Sequence, residues 1–264
     1  MCSIRDALPI YNVMRVDSLV LDDNKERLYM INPSASGHFT YYRAVNLRNW
    51  KSYALLHDAT TNDLTTLDTT QCDNIEDLRL FTLNDELHFI GYKRGLNNIF
   101  ETHTGHIKDN TLNPTHSLKD PTQHIKNIVP LQTNTALYFI DIYTKTVYDS
   151  TLKSIHTITN LPPDLLLYGS TRFIHLSNNI FGALVHNSFS FSNRNLIYYY
   201  YYWIELDITT WSITFVSKPF IVYKLSLVFV SDIYKVTDSV AEILFGYKDR
   251  RACKGIVKIE DLKI

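Results

Sequence analysis

The stretch Asn74-Ile75-Glu76-Asp77-Leu78-Arg79-Leu80-Phe81-Thr82-Leu83-Asn84-Asp85-Glu86-Leu87-His88-Phe89-Ile90-Gly91-Tyr92 holds both the fold and a candidate site. Its second half is simple to read. An apolar strand pattern runs to Leu83. The segment Leu83-Asn84-Asp85-Glu86-Leu87 reads as a hairpin connection, because Asn and Asp accept the backbone of tight turns. Glu86 to Tyr92 then reads as the returning strand. The first half sets Glu76, Asp77 and Arg79 within four residues. Local chemistry leaves two readings open. Charges this dense fit a solvated turn ahead of a strand. They also fit a site, since an Arg fork beside carboxylates suits polyhydroxylated or anionic ligands, and a carboxyl among charges can be tuned for proton transfer.

The strand–turn–strand pattern recurs along the chain, and long helical periodicity is almost absent. Runs of this kind are Arg27 to Ile31, His38 to Val45, Ala136 to Ile142, Ile180 to His186 and Leu196 to Leu206. Further on come Trp211 to Val216, Leu225 to Ser231, Val240 to Tyr247 and Cys253 to Ile259. Ser177-Asn178-Asn179-Ile180 reads as a second hairpin connection. Thr102 to His124 is polar and reads as a long loop, and Asn187 to Asn195 as a polar connection. The total is about eighteen strands without a composition break, an all-β chain with too many strands for one sandwich and compatible with a β-propeller. Five four-stranded blades need about twenty strands, and a fifth of the chain is roughly fifty residues, near a propeller repeat. No repeated consensus such as Trp-Asp is visible. In the run Tyr198 to Tyr202, alternation sends successive rings to opposite faces, so some pack between blades and others meet solvent or a central channel. Stacking on a sugar is the alternative use of those rings.

Composition removes several classes. The chain has 264 residues, with 26 basic and 27 acidic side chains and a net charge of -1. That balance argues against nucleic acid as a partner. The 18 tyrosines and 13 phenylalanines favour strands. Cys2, Cys72 and Cys253 show neither CxxC pairing nor metal-ligand spacing and suit a reducing compartment. Met1-Cys2-Ser3-Ile4-Arg5-Asp6 lacks the apolar core of a signal peptide, and no apolar run is long enough to span a bilayer. A soluble, cytoplasmic protein is expected, with its oligomeric state open. His103-Thr104-Gly105-His106 offers two imidazoles without an obvious third ligand, so no metal site is assigned.

Several short motifs occur in a set order: Asn32-Pro33-Ser34, Tyr42-Arg43-Ala44-Val45-Asn46, Glu76-Asp77-Leu78-Arg79, and Lys126-Asn127-Ile128-Val129-Pro130. Leu167-Tyr168-Gly169-Ser170-Thr171, Leu184-Val185-His186, Ser217-Lys218-Pro219-Phe220 and Phe245-Gly246-Tyr247-Lys248-Asp249 follow. This order resembles the five-bladed β-propellers of the β-mannoside phosphorylase family and its glycosidase and glycosyltransferase-like relatives. In that family the patterns look like Glu-Asp-Pro-Arg, Lys-Asn-Trp-x-Pro-Phe, Arg-Gly-Gly-Thr, a Val-His strand end, Ser-x-Pro-Phe and Tyr-Gly-x-x-Asp. The resemblance covers residues 12 to 258. It implies a single five-bladed domain over residues 1–264.

The resemblance also implies chemistry on glycosidic bonds. Asp77 matches the family's general acid, which in an inverting reaction protonates the departing oxygen. Arg43, Asn46, Glu76, Arg79 and Asp249 match or adjoin sugar-binding positions. Lys126, Tyr168 and His186 match the set that faces phosphate or the donor. The expected substrate is a glycan, a sugar phosphate or a nucleotide sugar. No cofactor is implied beyond inorganic phosphate as co-substrate. The chain departs from the pattern at Leu78, Ile128, Tyr168 and Ser170. Tyr168 stands where the family has Arg, so a bidentate phosphate clamp is lost. Phosphorolysis or hydrolysis, transfer from an activated sugar donor, and glycan or protein binding without turnover therefore remain as alternatives.

Overall fold

The computed structural model describes residues 10–11, 16–19, 28–46, 51–72, 75–94, 99–119, 127–191, 196–222, 227–248 and 251–263. Two short strands come first, β1 (Ile10–Tyr11) and β2 (Val16–Leu19). The first blade is β3 (Leu28–Ser36), β4 (Phe39–Asn46), β5 (Lys51–Asp58) and β6 (Asp63–Thr66). The second is β7 (Ile75–Leu83), β8 (Glu86–Arg94), β9 (Phe100–Lys108) and β10 (Thr111–Lys119). The third is β11 (Val129–Gln132), β12 (Leu137–Asp141), β13 (Thr146–Tyr148) and β14 (Ser154–Thr157). In the fourth, β15 (Tyr168–Gly169) and β16 (Ile174–Ser177) both pair with β17 (Ile180–Phe191), followed by β18 (Leu196–Asp207) and β19 (Ser212–Val216). After β20 (Ile221–Val222), which pairs with β1, the fifth blade is β21 (Val228–Lys235), β22 (Val240–Tyr247) and β23 (Arg251–Lys258). Its outer edge is completed by β2, antiparallel to β23 with Val16 opposite Gly255. The N-terminal strand thus closes the ring and covers an edge that would otherwise offer unpaired backbone groups. The protein is a five-bladed β-propeller.

Alternation explains how the blades hold together. Each of the five seams has its own apolar cluster. Adjacent residues serve different seams: Tyr41 packs towards the second blade, while Tyr42 packs against Ala252 of the fifth. The tyrosine run obeys the same rule. Tyr201 faces the fifth blade with Val228 and Val230, and Tyr202 faces the third with Val129 and Ile140. Trp203 is fully buried over Gly182, where a Cβ would overlap the indole.

Two expectations need correction. Residues 100–108 and 111–119 are not a loop; they form β9 and β10, the outer strands of the second blade. Outer strands bury only part of their surface, so His, Thr and Asn are tolerated there, and Pro114 sits where the register slips. Residues 187–191 likewise continue β17 rather than leave it, pairing with Leu196 to Tyr200. Both hairpin connections, at Asn84-Asp85 and Asn178-Asn179, are turns; Asn84, Asp85 and Asn178 adopt positive φ. Among the described residues no helix is long and apolar enough to cross a membrane.

The first strand of each blade lies innermost. Arg172, between β15 and β16, donates to Ala35 on β3, Leu80 on β7 and Asp232 on β21. Every blade is an antiparallel meander begun at this inner edge, so the inner strands run in one sense. Their N-terminal ends meet at one mouth of the channel. Register brings the ends of the second strands to the same mouth: Arg43 lies opposite Ile31, Tyr92 opposite Glu76, His186 opposite Tyr168 and Tyr247 opposite Val228.

Candidate active site

At this mouth two inner strands carry matching bulges. The β3–β4 register slips by one residue between Ile31 and Ser34, and the β7–β8 register slips likewise between Glu76 and Arg79. Each bulge holds one residue in the left-handed region, Asn32 at φ 48 and Asp77 at φ 50. Asn and Asp are the side chains that adopt this conformation most readily, and a bulge re-aims the side chain it carries. A third left-handed Asn, Asn127 at φ 63, precedes the inner strand of the third blade. The backbone repeats a device that the sequence repeats only as Asn or Asp.

The bulges turn Asn32 and Asp77 towards each other. Asn32 Nδ2 donates to Asp77 Oδ1 at 2.6 Å, and Arg43 Nη1 reaches the same oxygen at 3.4 Å. Tyr92 OH donates to Asp77 Oδ2 at 2.9 Å. Burial raises the Tyr92 phenol far above its usual range, and Asp77 and Glu76 raise it further, so Tyr92 stays a donor. Arg43 Nη2 meets Glu76 Oε1 at 2.7 Å. Burial alone would lower the Arg43 guanidinium, but Asp77 and Glu76 outweigh it and hold it above its ordinary value. Gly246 of the fifth blade backs the cluster: a Cβ there would lie 3.2 Å from Asn32 Oδ1.

Arg79 differs. It is only 3% exposed, and Nη1 contacts the backbone oxygen of Asp77 at 3.4 Å. Its Nε and Nη2 find no partner among the described residues. Burial lowers its pKa, and the carboxylates around it do not make up the difference. It lines a small, partly open pocket with Asp77, Ile90, Gly91, Tyr92, Thr102, Asn127 and Ile128.

The expected residues thus divide. Arg43, Glu76 and Asp77 come together, with Arg79 behind them. Asn46 is buried at the end of β4, three residues beyond Arg43 on the same strand. Tyr168 and His186 pair across β15 and β17 on the fourth blade. His186 is buried, its Nδ1 lies 2.8 Å from Ser170 Oγ, and its ring packs among Tyr168, Tyr199 and Phe229. Tyr168 stacks on Tyr143 at 5.0 Å with the rings 6° apart. Lys126 and Asp249 lie outside the described residues. Among the described residues no three His, Cys, Asp or Glu side chains are grouped to hold a metal.

Sequence reasoning missed Asn32 and Tyr92 as partners of Asp77. Asn32 stood in the ordered motifs as Asn-Pro-Ser, yet its role depends on a bulge 45 residues away from the carboxylate it serves. Reasoning also missed Arg172 and Asp232, which lie deeper in the channel. Arg172 binds Asp232 through Nε to Oδ1 at 2.8 Å and Nη2 to Oδ2 at 2.7 Å, and its Nη2 also reaches the Ala35 and Leu80 carbonyls.

No family model and no curated protein matches the chain. Solved structures share its fold. A GDP-Man-dependent mannosyltransferase from Leishmania mexicana superposes with a TM-score of 0.66 at 17% identity, over 94% of this chain and 90% of that one. A mannose phosphorylase from the same organism, in complex with phosphate, gives 0.63 at 17% identity over 93% and 89%. A β-1,2-mannobiose phosphorylase from Listeria innocua gives 0.61 at 13% identity over 94% and 95%. These likenesses establish a shared five-bladed fold along nearly the whole chain.

Proposed function

We propose that the chain is a carbohydrate-active enzyme that cleaves or forms glycosidic bonds, of the mannoside phosphorylase and glycosidase type, with Asp77 as the acid of an inverting displacement. The observation that carries this reading is the Asp77 carboxylate, re-aimed by a left-handed bulge at the channel mouth and held by Asn32, Arg43 and Tyr92. Three donors from two blades fix its orientation, as a proton donor to a bound ligand requires. In the reaction the acid gives its proton to the departing oxygen as the glycosidic bond breaks. The nucleophile bonds to the anomeric carbon from the opposite face. Arg43, Asn46, Glu76 and Asp249 would hold sugar hydroxyls, a task carboxylates and guanidinium groups perform well. Lys126 and His186 would face the nucleophile or an anionic donor.

Transfer from a nucleotide sugar is the second reading. Tyr168, stacked on Tyr143, favours it. A phosphorolytic site needs cations to seat free phosphate, and among the described residues the position where the family has Arg carries Tyr168 on Tyr143 instead. One structure of the same fold is named as a GDP-Man-dependent mannosyltransferase.

The test is turnover by wild type and Asp77→Asn on β-mannosides, with and without inorganic phosphate, and with GDP-mannose as donor. The reading expects wild-type turnover that the variant loses. Full activity of the variant on every glycan that wild type processes would overturn the acid assignment. Turnover that ignores added phosphate would remove phosphorolysis. Glycan binding without turnover on any arm would make the protein a binding propeller.

A further inference from the structure

Beyond Asp77, the rest of the mouth carries a different kind of surface, made of aromatic rings. Tyr143, Tyr168, His186, Tyr199 and Phe229 form a continuous run across the third, fourth and fifth blades, with neighbouring ring centroids 5.0 to 5.7 Å apart. Tyr143 is the open end of that run among the described residues and is 41% exposed. Tyr168 covers one face of its ring, with the two planes 6° apart. The exposure therefore falls on the other face and the rim. A lone exposed aromatic is ordinary. An exposed ring backed by a parallel one at a channel mouth is a flat floor.

That floor is held in place. Asp141 ends β12 at this mouth, and its Oδ1 accepts from the Tyr143 and Thr144 amides at 3.0 and 3.3 Å, which fixes the turn that carries the ring. Tyr168 backs the ring from the inner strand β15 and rests on His186, whose Nδ1 lies 2.8 Å from Ser170 Oγ. The floor also adjoins the acid. Asn127 lines the same pocket as Asp77, and a Cβ at Gly169, next to Tyr168, would overlap the Asn127 carbonyl oxygen. One residue thus bridges the surroundings of Asp77 and of Tyr168. A ligand that starts at Asp77 and runs towards the fourth blade passes Asn127 and meets the tyrosine pair.

We infer that Tyr143, backed by Tyr168, is the stacking floor of a second sugar subsite, and that the substrate is a glycan of at least two rings. The inference rests on the proposed chemistry at Asp77: the second ring is the departing sugar in cleavage and the acceptor in transfer. A pyranose lays a face of C–H bonds on an aromatic ring and keeps its hydroxyls at the rim, so the floor itself needs no charge. The base of a nucleotide could also stack there. Its phosphates would call for cations, and the side chain that holds this turn is a carboxylate, Asp141, with Lys145 the single cation of the turn. A neutral ring fits that setting better.

The experiment is calorimetric titration of the full chain with methyl β-mannoside, a panel of β-linked mannobioses, and GDP, on wild type, Tyr143→Ala and Tyr143→Phe. Methyl β-mannoside has one ring and fills only the place beside Asp77. Wild type should bind at least one mannobiose more tightly than it, by about threefold to tenfold, the contribution of one aromatic contact. Tyr143→Ala should lose that preference, and Tyr143→Phe, which keeps the ring, should retain it. Saturation-transfer NMR on wild type covers the case in which a variant does not fold, and the C–H protons of the second ring should receive magnetisation from aromatic protons. No mannobiose preferred by wild type, an equal preference in Tyr143→Ala, no transfer to the second ring, or a GDP affinity that falls in Tyr143→Ala while the mannobiose preference stays would each overturn the subsite. Titration and turnover separate the two readings. A Tyr143-dependent preference without turnover of any glycan leaves the subsite standing and removes the proposed chemistry; turnover that Asp77→Asn loses, with no such preference, does the reverse.

Discussion

Two arginine–aspartate clusters share the propeller channel, and they differ in how completely their hydrogen bonds are met. Deep in the channel, Asp232 is fully buried and accepts from Arg172, Ser34 Oγ, Tyr234 OH and the Ala35 amide, as well as from its neighbour Ile233 N. Arg172 spends its remaining reach on the Ala35 and Leu80 carbonyls and lies over the Tyr234 ring at 4.8 Å. Four blades are tied at one point. At the mouth, Asp77 is also well held, but Arg79 keeps two nitrogens unpaired among the described residues. A saturated cluster has nothing left to offer a ligand and serves the architecture. An unsaturated one carries buried donors that the architecture does not use, at a cost in stability.

The difference can be broken from both sides. The largest effect is expected at the mouth. Asp77→Asn keeps the shape of the side chain but carries no transferable carboxyl proton, and turnover should fall by about 10²–10⁴-fold, the usual contribution of a general acid. Its melting point should stay within about 3 °C of wild type, because an amide can still accept from Asn32 or Tyr92. Steady-state rates and melting curves on the same preparations check both halves. A large loss of melting point with Asp77→Asn would make the mouth cluster architectural as well.

Deep in the channel the pattern should invert. Asp232→Ala leaves the Arg172 guanidinium buried and unpaired, which costs about 3–5 kcal/mol. At roughly 2–4 °C per kcal/mol for a chain of this size, melting should drop by about 10 °C. Calorimetry is the measurement, and a drop below about 2 °C would mean that the four-blade tie does not hold the ring together. Arg79→Met separates the two arginines directly. It deletes a buried charge that lacks a full partner among the described residues, so it should leave melting unchanged or raise it, whereas Arg172→Met should lower it.

How far the sequence foretold this arrangement depends on the range of each interaction. Strands such as Val240 to Tyr247 were legible, and the observed β22 has the same limits, because a two-residue alternation is local. The outer strands β9 and β10 were not, because half-exposed edge strands carry loop-like residues. Glu76, Asp77 and Arg43 drew notice as charges in motifs. Tyr92 was not singled out, and Asn32 stood in a motif without a role, since each is an ordinary strand or turn residue until two bulges bring them to one carboxylate. Arg172 was least visible of all. It meets Asp232 across 60 residues and Ala35 across 137, and no local pattern flags it.

A smaller effect is expected at Tyr92. Tyr92→Phe removes one donor from Asp77 Oδ2 and little volume. Hydrogen bonds to charged groups contribute about 1.5–3 kcal/mol, so turnover should fall by roughly tenfold or more and melting by a few degrees. Burial keeps the wild-type phenol protonated through the whole working range, so no loss of activity should trace to its ionisation below pH 10. If Tyr92→Phe leaves turnover untouched, orientation of Asp77 rests on Asn32 and Arg43 alone.

Asp141 tests the same distinction with a carboxylate of intermediate character. It is 2% exposed at the end of β12; Oδ1 accepts from the Tyr143 and Thr144 amides, and Oδ2 is buried with no partner among the described residues. Burial raises its pKa, against the lowering effect of those turn amides. The sign for stability follows. In the unfolded chain Asp ionises at its ordinary value near 4. In the folded chain it holds its proton to higher pH. Between those two values the unfolded state gains charge that the folded state resists, so stability falls as pH rises and levels off above the folded value. Asp141→Asn removes the ionisation and keeps an oxygen for the turn amides. Its melting curve should follow wild type at pH 4 and lie about 2 °C above it by pH 7. Parallel curves over that range would mean that Oδ2 finds solvent or a partner after all, and that half-saturation of a buried carboxylate costs this fold nothing.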